Sequence, residues 1–494
     1  MITNRTIHPQ NDGLNRERRD GSSSFKESSV SLFTKFYVFS ILIEPLQYFV
    51  LVPQDMSFNI NANPSRLLQL IVLLVLCCKF LFKGKSIVAR PFSDLNKNFT
   101  YFFLFSVFFG ILGYFMGSYS HLNLQVSLNF MDFVSSIYAR PIIEFIILLY
   151  YFIYFVVLAQ FFLATKKDID YFFRSFKIVF FVLLFVGFTE LLIKIGSEIF
   201  WGANFEGINI QFHKDVSPGK RFHSFIGEPR AAFMYLFLGL ALFSIMDIWN
   251  NTKKLTFFLT LIILTAIFLT QAVSGVIGLI CAYFLLLFYY FRRLSIKTVI
   301  FFSSFIISAS LVILVILYPS TVYGLIDNFL TVRIRGYLES SFYLHRALSN
   351  GEFVVGQIAQ VMNNVYPLWH LWIEMLEFNC FHIFFGNGVG SSSIINNYYA
   401  KEVGVLNPNS AFIKMLYENG IIGILLFISA FLSPIKKMSV DYEIFRKLTF
   451  WMIIMLGIYF GHKSSTLFIF AGVSFAILKY NFMEKNNDLI KSGI

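Results

Sequence analysis

The residues best suited to chemistry in this sequence are basic ones gathered in two segments. In KRFHSFIGEPR, residues 220–230, Lys220, Arg221 and Arg230 stand close together with His223 and Glu228 among them. Arg333, Arg335 and Arg346 form a second group further along the chain. A guanidinium presents a planar fork of N–H donors that holds a phosphate through paired hydrogen bonds. Both groups therefore have the make-up of a site for an anionic substrate, although contact with anionic lipid headgroups would use the same residues. Glu228, flanked by Arg221 and Arg230, is the acid/base candidate; a simple charge partner for those arginines is the plainer alternative. His223, His345 and His370 are further bases by type. No His-x-x-x-His pair marks a metal site, and no metal or cofactor is expected.

The elements that must position these residues follow from composition. Hydrophobic residues make up 57% of the 494 and charged residues only 14%, with a mean hydropathy of +0.67. A soluble domain carries about 25% charged residues, so this chain cannot cover itself with a polar surface. The expectation is an all-α, polytopic integral membrane helix bundle with the lipid bilayer as its solvent. The 64 Phe and 25 Tyr suit lipid-facing helices with interfacial tyrosines. A net charge of +12 raises nucleic acid as a partner. The Lys and Arg lie in small groups between apolar runs, however, as in cytoplasmic loops, so no nucleic-acid partner is expected. The four cysteines form no disulfide or metal framework.

A hydrocarbon core about 30 Å thick takes roughly 20 apolar residues per helix. Spans are predicted near 36–53, 66–83, 99–117, 143–164, 177–196, 230–249, 255–273, 275–291, 298–319, 411–432, 445–461 and 464–480, about twelve in all. Residues 1–35 read as a polar, disordered cytoplasmic tail without a signal-peptide core. Residues 36–480 form the bundle, and 481–494 a second cytoplasmic tail. With both termini inside, about 27 of the 40 Lys and Arg fall on the cytoplasmic side and about 13 outside. Most connections are short. Two outer loops, near 197–229 and 320–410, are long, and long loops in compact proteins are usually functional or disordered.

Helix polarity adds to the basic residues. The sixth, eighth and tenth helices run from outside inward, so their N-termini and unpaired N–H groups face the outer side, where anions are favoured. Pro229 fits the first helical position, which needs no N–H donor, and Arg230 follows it. Asn409 or Ser410 can cap the tenth helix. Every helix of that orientation shares this polarity, so only the added arginines make the ends specific. Several ionisable residues fall inside spans: Glu44, the pair Glu190 and Lys194, and the pair Lys414 and Glu418, both at i, i+4 spacing. They form no regular series of buried acids of the kind a proton-coupled transporter would show. FFGNGVGSSS, residues 384–393, lacks the β-α-β setting and the Lys-Ser/Thr of a nucleotide loop. It reads as a tight turn bringing the outer loop back to the membrane.

With these residues in view, GNGVGSSS (386–393) followed by NPNSAFIKMLYENGIIGILLF (407–427) resembles the O-antigen polymerase and O-antigen ligase superfamily. The likeness lies in a Gly-x-Gly turn, an Asn-Ser entry, a helix, and then Glu418, Gly420 and Gly423. RFHSFIGEPRAAF (221–233) and TQAVSGVIGL (270–279) resemble further segments of that family. The resemblance covers about a third of the chain and implies a bundle of the GT-C type. It would be a multi-pass protein of the bacterial inner membrane, acting on undecaprenyl-diphosphate-linked glycans at the periplasmic face. It also implies diphosphate contacts from Arg221, Arg230, Arg333 and Arg335, with a chain-length regulator as a candidate partner. Pro408 stands where ligases place a histidine before Asn409, which favours polymerase over ligase. A lipid-linked oligosaccharide transporter is the alternative from another class, but the halves show no repeat and the outer loops are large.

Overall fold

The computed structural model of the protein describes residues 30–45, 64–83, 96–115, 139–201, 222, 224–226, 229–250, 256–270, 272, 380–392, 411–438, 442–461 and 465–491. Among them every regular element is a helix: α1 Leu32–Leu42, α2 Pro64–Lys83, α3 Lys97–Phe115, α4 Ala139–Phe162, α5 Lys166–Trp201, α6 Pro229–Trp249, α7 Thr256–Leu269, α8 Cys380–Phe385, α9 Ala411–Met438, α10 Tyr442–Gly461 and α11 Thr466–Lys491. Of these, α4, α5, α6, α9 and α11 contain stretches long and apolar enough to cross a membrane. The chain is thus a multi-pass membrane protein whose described elements are all helical. The predicted spans near 275–291 and 298–319 lie outside the described residues.

The helices are apolar on nearly every face, because lipid and core make the same demand. In α3, Phe99, Phe102 and Ser106 face the interior while Leu104 and Phe108 stand on the outside, 63% and 62% exposed. Leaving Phe and Leu so exposed to water would forfeit their burial energy; in a bilayer they contact acyl chains. The interior is built largely of aromatic side chains. Phe427 meets Phe102, Phe431 and Tyr459, and Phe431 meets Phe99 and Phe468, in edge-on or offset arrangements, the geometries favoured by the ring quadrupole.

Polar contacts set the direction of each helix. At one end, Glu44 just after α1 meets Arg66 at the start of α2 and Ser465 just before α11. Glu144 near the start of α4 meets Lys414 near the start of α9. At the other end, Asn96 before α3 meets Gln160 at the end of α4, and Lys479 late in α11 donates to the Gln160 carbonyl. There too, Asp170 early in α5 accepts from Trp249 at the end of α6. Helices α1 to α6 therefore alternate in direction, α9 and α11 both start at the end where α4 starts, and α1 begins at the end to which α11 returns. We call the two ends the Glu144 end and the Asp170 end.

Helix limits depart from the hydropathy spans where polar residues decide them. The first helix stops at Leu42, well short of 53. Pro45 disfavours helical backbone at Glu44, and the Ile43 N–H closes the helix on Ile41 and Phe39. Conversely, α5 starts at Lys166, eleven positions before the apolar run. Thr165 caps it, accepting from the Asp168 N–H at 3.3 Å while donating to the Asp168 carboxylate at 2.6 Å, a reciprocal arrangement of the capping-box kind. In α4, residues Phe152–Val157 form a π-turn. The carbonyl of Tyr154 within it accepts the Tyr37 hydroxyl at 2.9 Å. Such turns free backbone groups for outside partners.

Candidate functional site

Among the described residues, two groups of ionisable side chains are buried inside the bundle, separated by about two turns of α4, or roughly 10 Å. The deeper group centres on Glu44, which is 2% exposed. Its carboxylate accepts from Arg66 Nη2 at 2.7 Å, Gln69 Nε2 at 2.7 Å and Ser465 Oγ at 2.6 Å. The Arg66 guanidinium also donates to Gln69 Oε1 and lies over the rings of Tyr150 and Tyr151 at 5.6 and 5.3 Å. Tyr150 donates to Gln69 Oε1 in turn. A single charge at the centre of a membrane helix costs about 2.5–3.5 kcal/mol on insertion scales. The pairing, the hydrogen bonds and the cation–π contacts offset that cost for both charges.

The second group lies nearer the Glu144 end. Glu144 is 5% exposed. Its Oε1 accepts from Arg140 at 2.6 Å and its Oε2 from Lys414 at 3.1 Å. Lys414 also approaches Glu418, at 3.8 Å. The spacing of Lys414 and Glu418 predicts their pairing, but the shorter contact goes across the bundle to Glu144. Glu418 Oε1 accepts from Ser392 Oγ at 2.6 Å. Tyr151 lies within electrostatic reach of both Glu44 and Glu144, and Tyr459 of Tyr151, Glu144 and Glu418. The two groups thus lie one behind the other along α4, from the Glu144 end towards its middle.

The glycine-rich turn joins the helices that carry the second group. α9 is broken at Gly420, with φ 63° and ψ −173°, a conformation open essentially to glycine alone. In an unbroken helix the carbonyls of Tyr417 and Glu418 would accept from residues 421 and 422. Here the turn supplies the donors instead: Asn387 N–H bonds Tyr417 O at 2.9 Å and Gly388 N–H bonds Glu418 O at 2.8 Å. Non-helical backbone at membrane depth is tolerated only where protein satisfies it in this way. The turn approaches its neighbours so closely that side chains are excluded. A Cβ on Gly390, whose φ is +84°, would come within 2.7 Å of Pro141 Cα. The expected tight turn is therefore present, and its docking surface is the broken helix α9 together with α3 and α4. Just before it, His382 is 6% exposed, and desolvation holds its imidazole below the ordinary pKa of 6.5.

Among the site residues expected from sequence, the structure places Arg230. α6 begins at Pro229, as the missing N–H of proline predicts, and Arg230 follows it, half-buried, at the Glu144 end. Arg221, His223, Glu228, Arg333, Arg335, Asn409 and Ser410 lie outside the described residues, as do the pairing of Glu190 with the Lys194 side chain and the bulk of the loop 320–410. The described parts of segment 221–230 are anchored in the bundle. Phe222 is fully buried and its N–H bonds Leu269 O at 2.9 Å, while Ser224 donates to Leu183 O at 2.7 Å. Sequence reasoning passed over Arg66, Arg140 and Glu144. The signal for the last two was present in their i, i+4 spacing at the head of an apolar segment. The convergence of Glu44, Glu144 and Glu418 had no such signal, because each is the only acid in its own predicted span.

No protein-family model, no curated protein sequence and no solved structure matches this chain.

Proposed function

We propose that the protein is a glycosyltransferase that polymerises undecaprenyl-diphosphate-linked oligosaccharide repeat units at the periplasmic face of the bacterial inner membrane. The observation that carries this reading is the docking of residues 386–392 onto 417–420. The two stretches that together resemble the polymerase and ligase superfamily are adjacent in space, at the end of the bundle where Arg230 opens α6. That end is the outer one in this reading, because Lys166, Lys167, Lys436 and Lys437 all sit towards the Asp170 end.

In the mechanism we favour, Arg221, Arg230, Arg333 and Arg335 hold the diphosphate of one lipid-linked glycan. They stabilise negative charge as the carrier leaves the anomeric carbon. A base, Glu228 or His223, takes the proton of the attacking sugar hydroxyl of a second repeat unit. Asn409 and Ser410 open the helix that carries Lys414 and Glu418. A second reading, a lipid-linked oligosaccharide transporter, draws on the broken helix at Gly420 and the buried charges beside it, features that line substrate paths in transporters.

A strain lacking the gene separates the readings. A polymerase deletion leaves one repeat on lipid A-core and no long ladder. A ligase deletion removes all repeats while lipid-linked polymer accumulates. A transporter deletion traps single lipid-linked repeats on the cytoplasmic leaflet, and an unchanged ladder would sink all three.

A further inference from the structure

At the Glu144 end, side chains and backbone from α4, α9 and the glycine turn close into a circuit. Arg140 donates to Glu144 at 2.6 Å, Glu144 accepts from Lys414 at 3.1 Å, and Lys414 lies 3.8 Å from Glu418. Glu418 accepts from Ser392 at 2.6 Å. The chain then returns through Ser391 to Gly390, which packs against the Arg140–Pro141 backbone. Two groups in this circuit are buried and have no hydrogen-bond partner among the described residues, the Arg140 Nε–H and the Ser391 hydroxyl. Ser391 is 0% exposed. Buried polar groups are nearly always satisfied, and an unsatisfied one lowers stability with no return from packing. Two of them in one circuit, on segments that pack together where Gly390 meets the Arg140–Pro141 backbone, point to hydrogen bonds that a ligand completes.

Charge selects the class of ligand. Among the described residues the circuit holds two cations, Arg140 and Lys414, and two carboxylates, Glu144 and Glu418, so their formal charges cancel. A diphosphate entering it would meet Glu144 and Glu418 in a low-dielectric setting where like charges repel strongly. A neutral hydroxyl meets no such barrier. It can accept from the Arg140 Nε–H and can both donate to and accept from the Ser391 hydroxyl. The bridging carboxylate of Glu144 holds the Arg140 fork in place before any ligand arrives, which lowers the entropic cost of binding.

We infer that this circuit binds an uncharged, hydroxyl-rich ligand, namely the sugar portion of the lipid-linked glycan. The ligand class rests on the circuit; its assignment to that glycan rests on the polymerase reading. The anionic carrier then belongs to the loop arginines and the sugar to the circuit, so recognition is divided between two places at one end of the bundle.

The test uses the purified full-length protein in lipid nanodiscs. The probe is the phosphate-free repeat-unit oligosaccharide released by mild acid from the host's own surface polysaccharide, with inorganic pyrophosphate as competitor. Saturation-transfer NMR should show the oligosaccharide bound and not displaced by pyrophosphate. Ser391→Ala should weaken binding by about tenfold, the loss of one good hydrogen bond, and Arg140→Gln by more. Ser391→Ala should also unfold at a temperature no lower than wild type, since it deletes an unsatisfied hydroxyl; a structural hydroxyl would lower it. Wild-type binding in Ser391→Ala, absence of any transfer, displacement by pyrophosphate, or a destabilised Ser391→Ala each overturns the inference. The two proposals fail separately. An intact ladder in the deletion strain with oligosaccharide bound at the circuit removes the polymerase. A lost ladder with wild-type binding by Ser391→Ala removes the sugar site.

Discussion

The carboxylate of Glu144 bridges Arg140, one helical turn away, and Lys414, 270 positions away in sequence, at 2.6 and 3.1 Å. One buried anion thus locks the start of α4 to the start of α9. Glu144→Ala leaves both cations without it, and removing one member of a buried pair costs about 3–5 kcal/mol. Because Arg140 and Lys414 retain 26% and 13% exposure, we expect about 3 kcal/mol, read as a lowered unfolding temperature in nanodiscs. Replacing Arg140, Glu144, Lys414 and Glu418 together with apolar residues of similar size should recover most of the loss, since Lys414 also neighbours Glu418. A quadruple variant weaker than Glu144→Ala would contradict this account.

The break in α9 makes a second prediction. Alanine at Gly420 must adopt a backbone conformation that L-residues avoid and would also meet the Phe384 carbonyl, so Gly420→Ala should cost about 3 kcal/mol or more. Gly110, in the regular helix α3, is the contrast. A Cβ there has its nearest neighbours at 3.8 Å, and Gly110→Ala should stabilise by about 0.5–1 kcal/mol. The opposite order of the two variants in thermal unfolding would show that the helix is not broken at 420.

The deeper group predicts that arginine and lysine are not exchangeable at position 66. A lysine keeps the charge opposite Glu44 but cannot reach Gln69 and both tyrosine rings at once. Arg66→Lys should therefore cost about 2 kcal/mol, on the scale of hydrogen bonds to charged groups. A double-mutant cycle with Glu44→Gln should give a coupling energy above about 1 kcal/mol. Additive losses would mean that the two side chains do not act as a pair.

The buried imidazole of His382 gives stability a pH dependence whose sign can be worked out. Desolvation holds its folded-state pKa below the ordinary 6.5, so protonation favours the unfolded form. The stabilisation is fully present above pH 6.5 and is lost as the pH falls from there through the lower folded-state value. Unfolding temperature should thus decline on acidification below about pH 6.5, and His382→Gln should flatten that decline. An equal slope in the variant assigns the effect to other groups.

Arg230 tests the proposed diphosphate contact. Arg230→Ala should abolish long glycan chains while the protein level in the membrane stays normal, and Arg230→Lys should retain only part of the activity, because a point charge cannot bind phosphate through a paired fork. Wild-type chain lengths in Arg230→Ala would remove this residue from the site.

Much of the architecture was legible in the sequence. Apolar run length alone located the cores of the ten longer described helices, because a bilayer demands about 20 apolar residues whatever their packing. Pro229 predicted where α6 begins, since proline is accepted where no N–H donor is needed. The Gly-x-Gly stretch at 386–388 predicted a turn. Local rules of this kind act within one or two turns of chain, and the sequence displays them directly.

The convergence of charge was decided only in three dimensions. In the sequence Glu44, Glu144 and Glu418 are single acids in separate spans, and Lys414 looks like the partner of Glu418 beside it. Folding brings Arg66 to Glu44 across 22 positions and Lys414 to Glu144 across 270. The physical reason is that the membrane supplies no water to solvate a lone charge. Each buried ion must find its counter-ion wherever the bundle places it. A hydropathy profile records only that such a residue is polar. Which other residue neutralises it depends on how the helices pack.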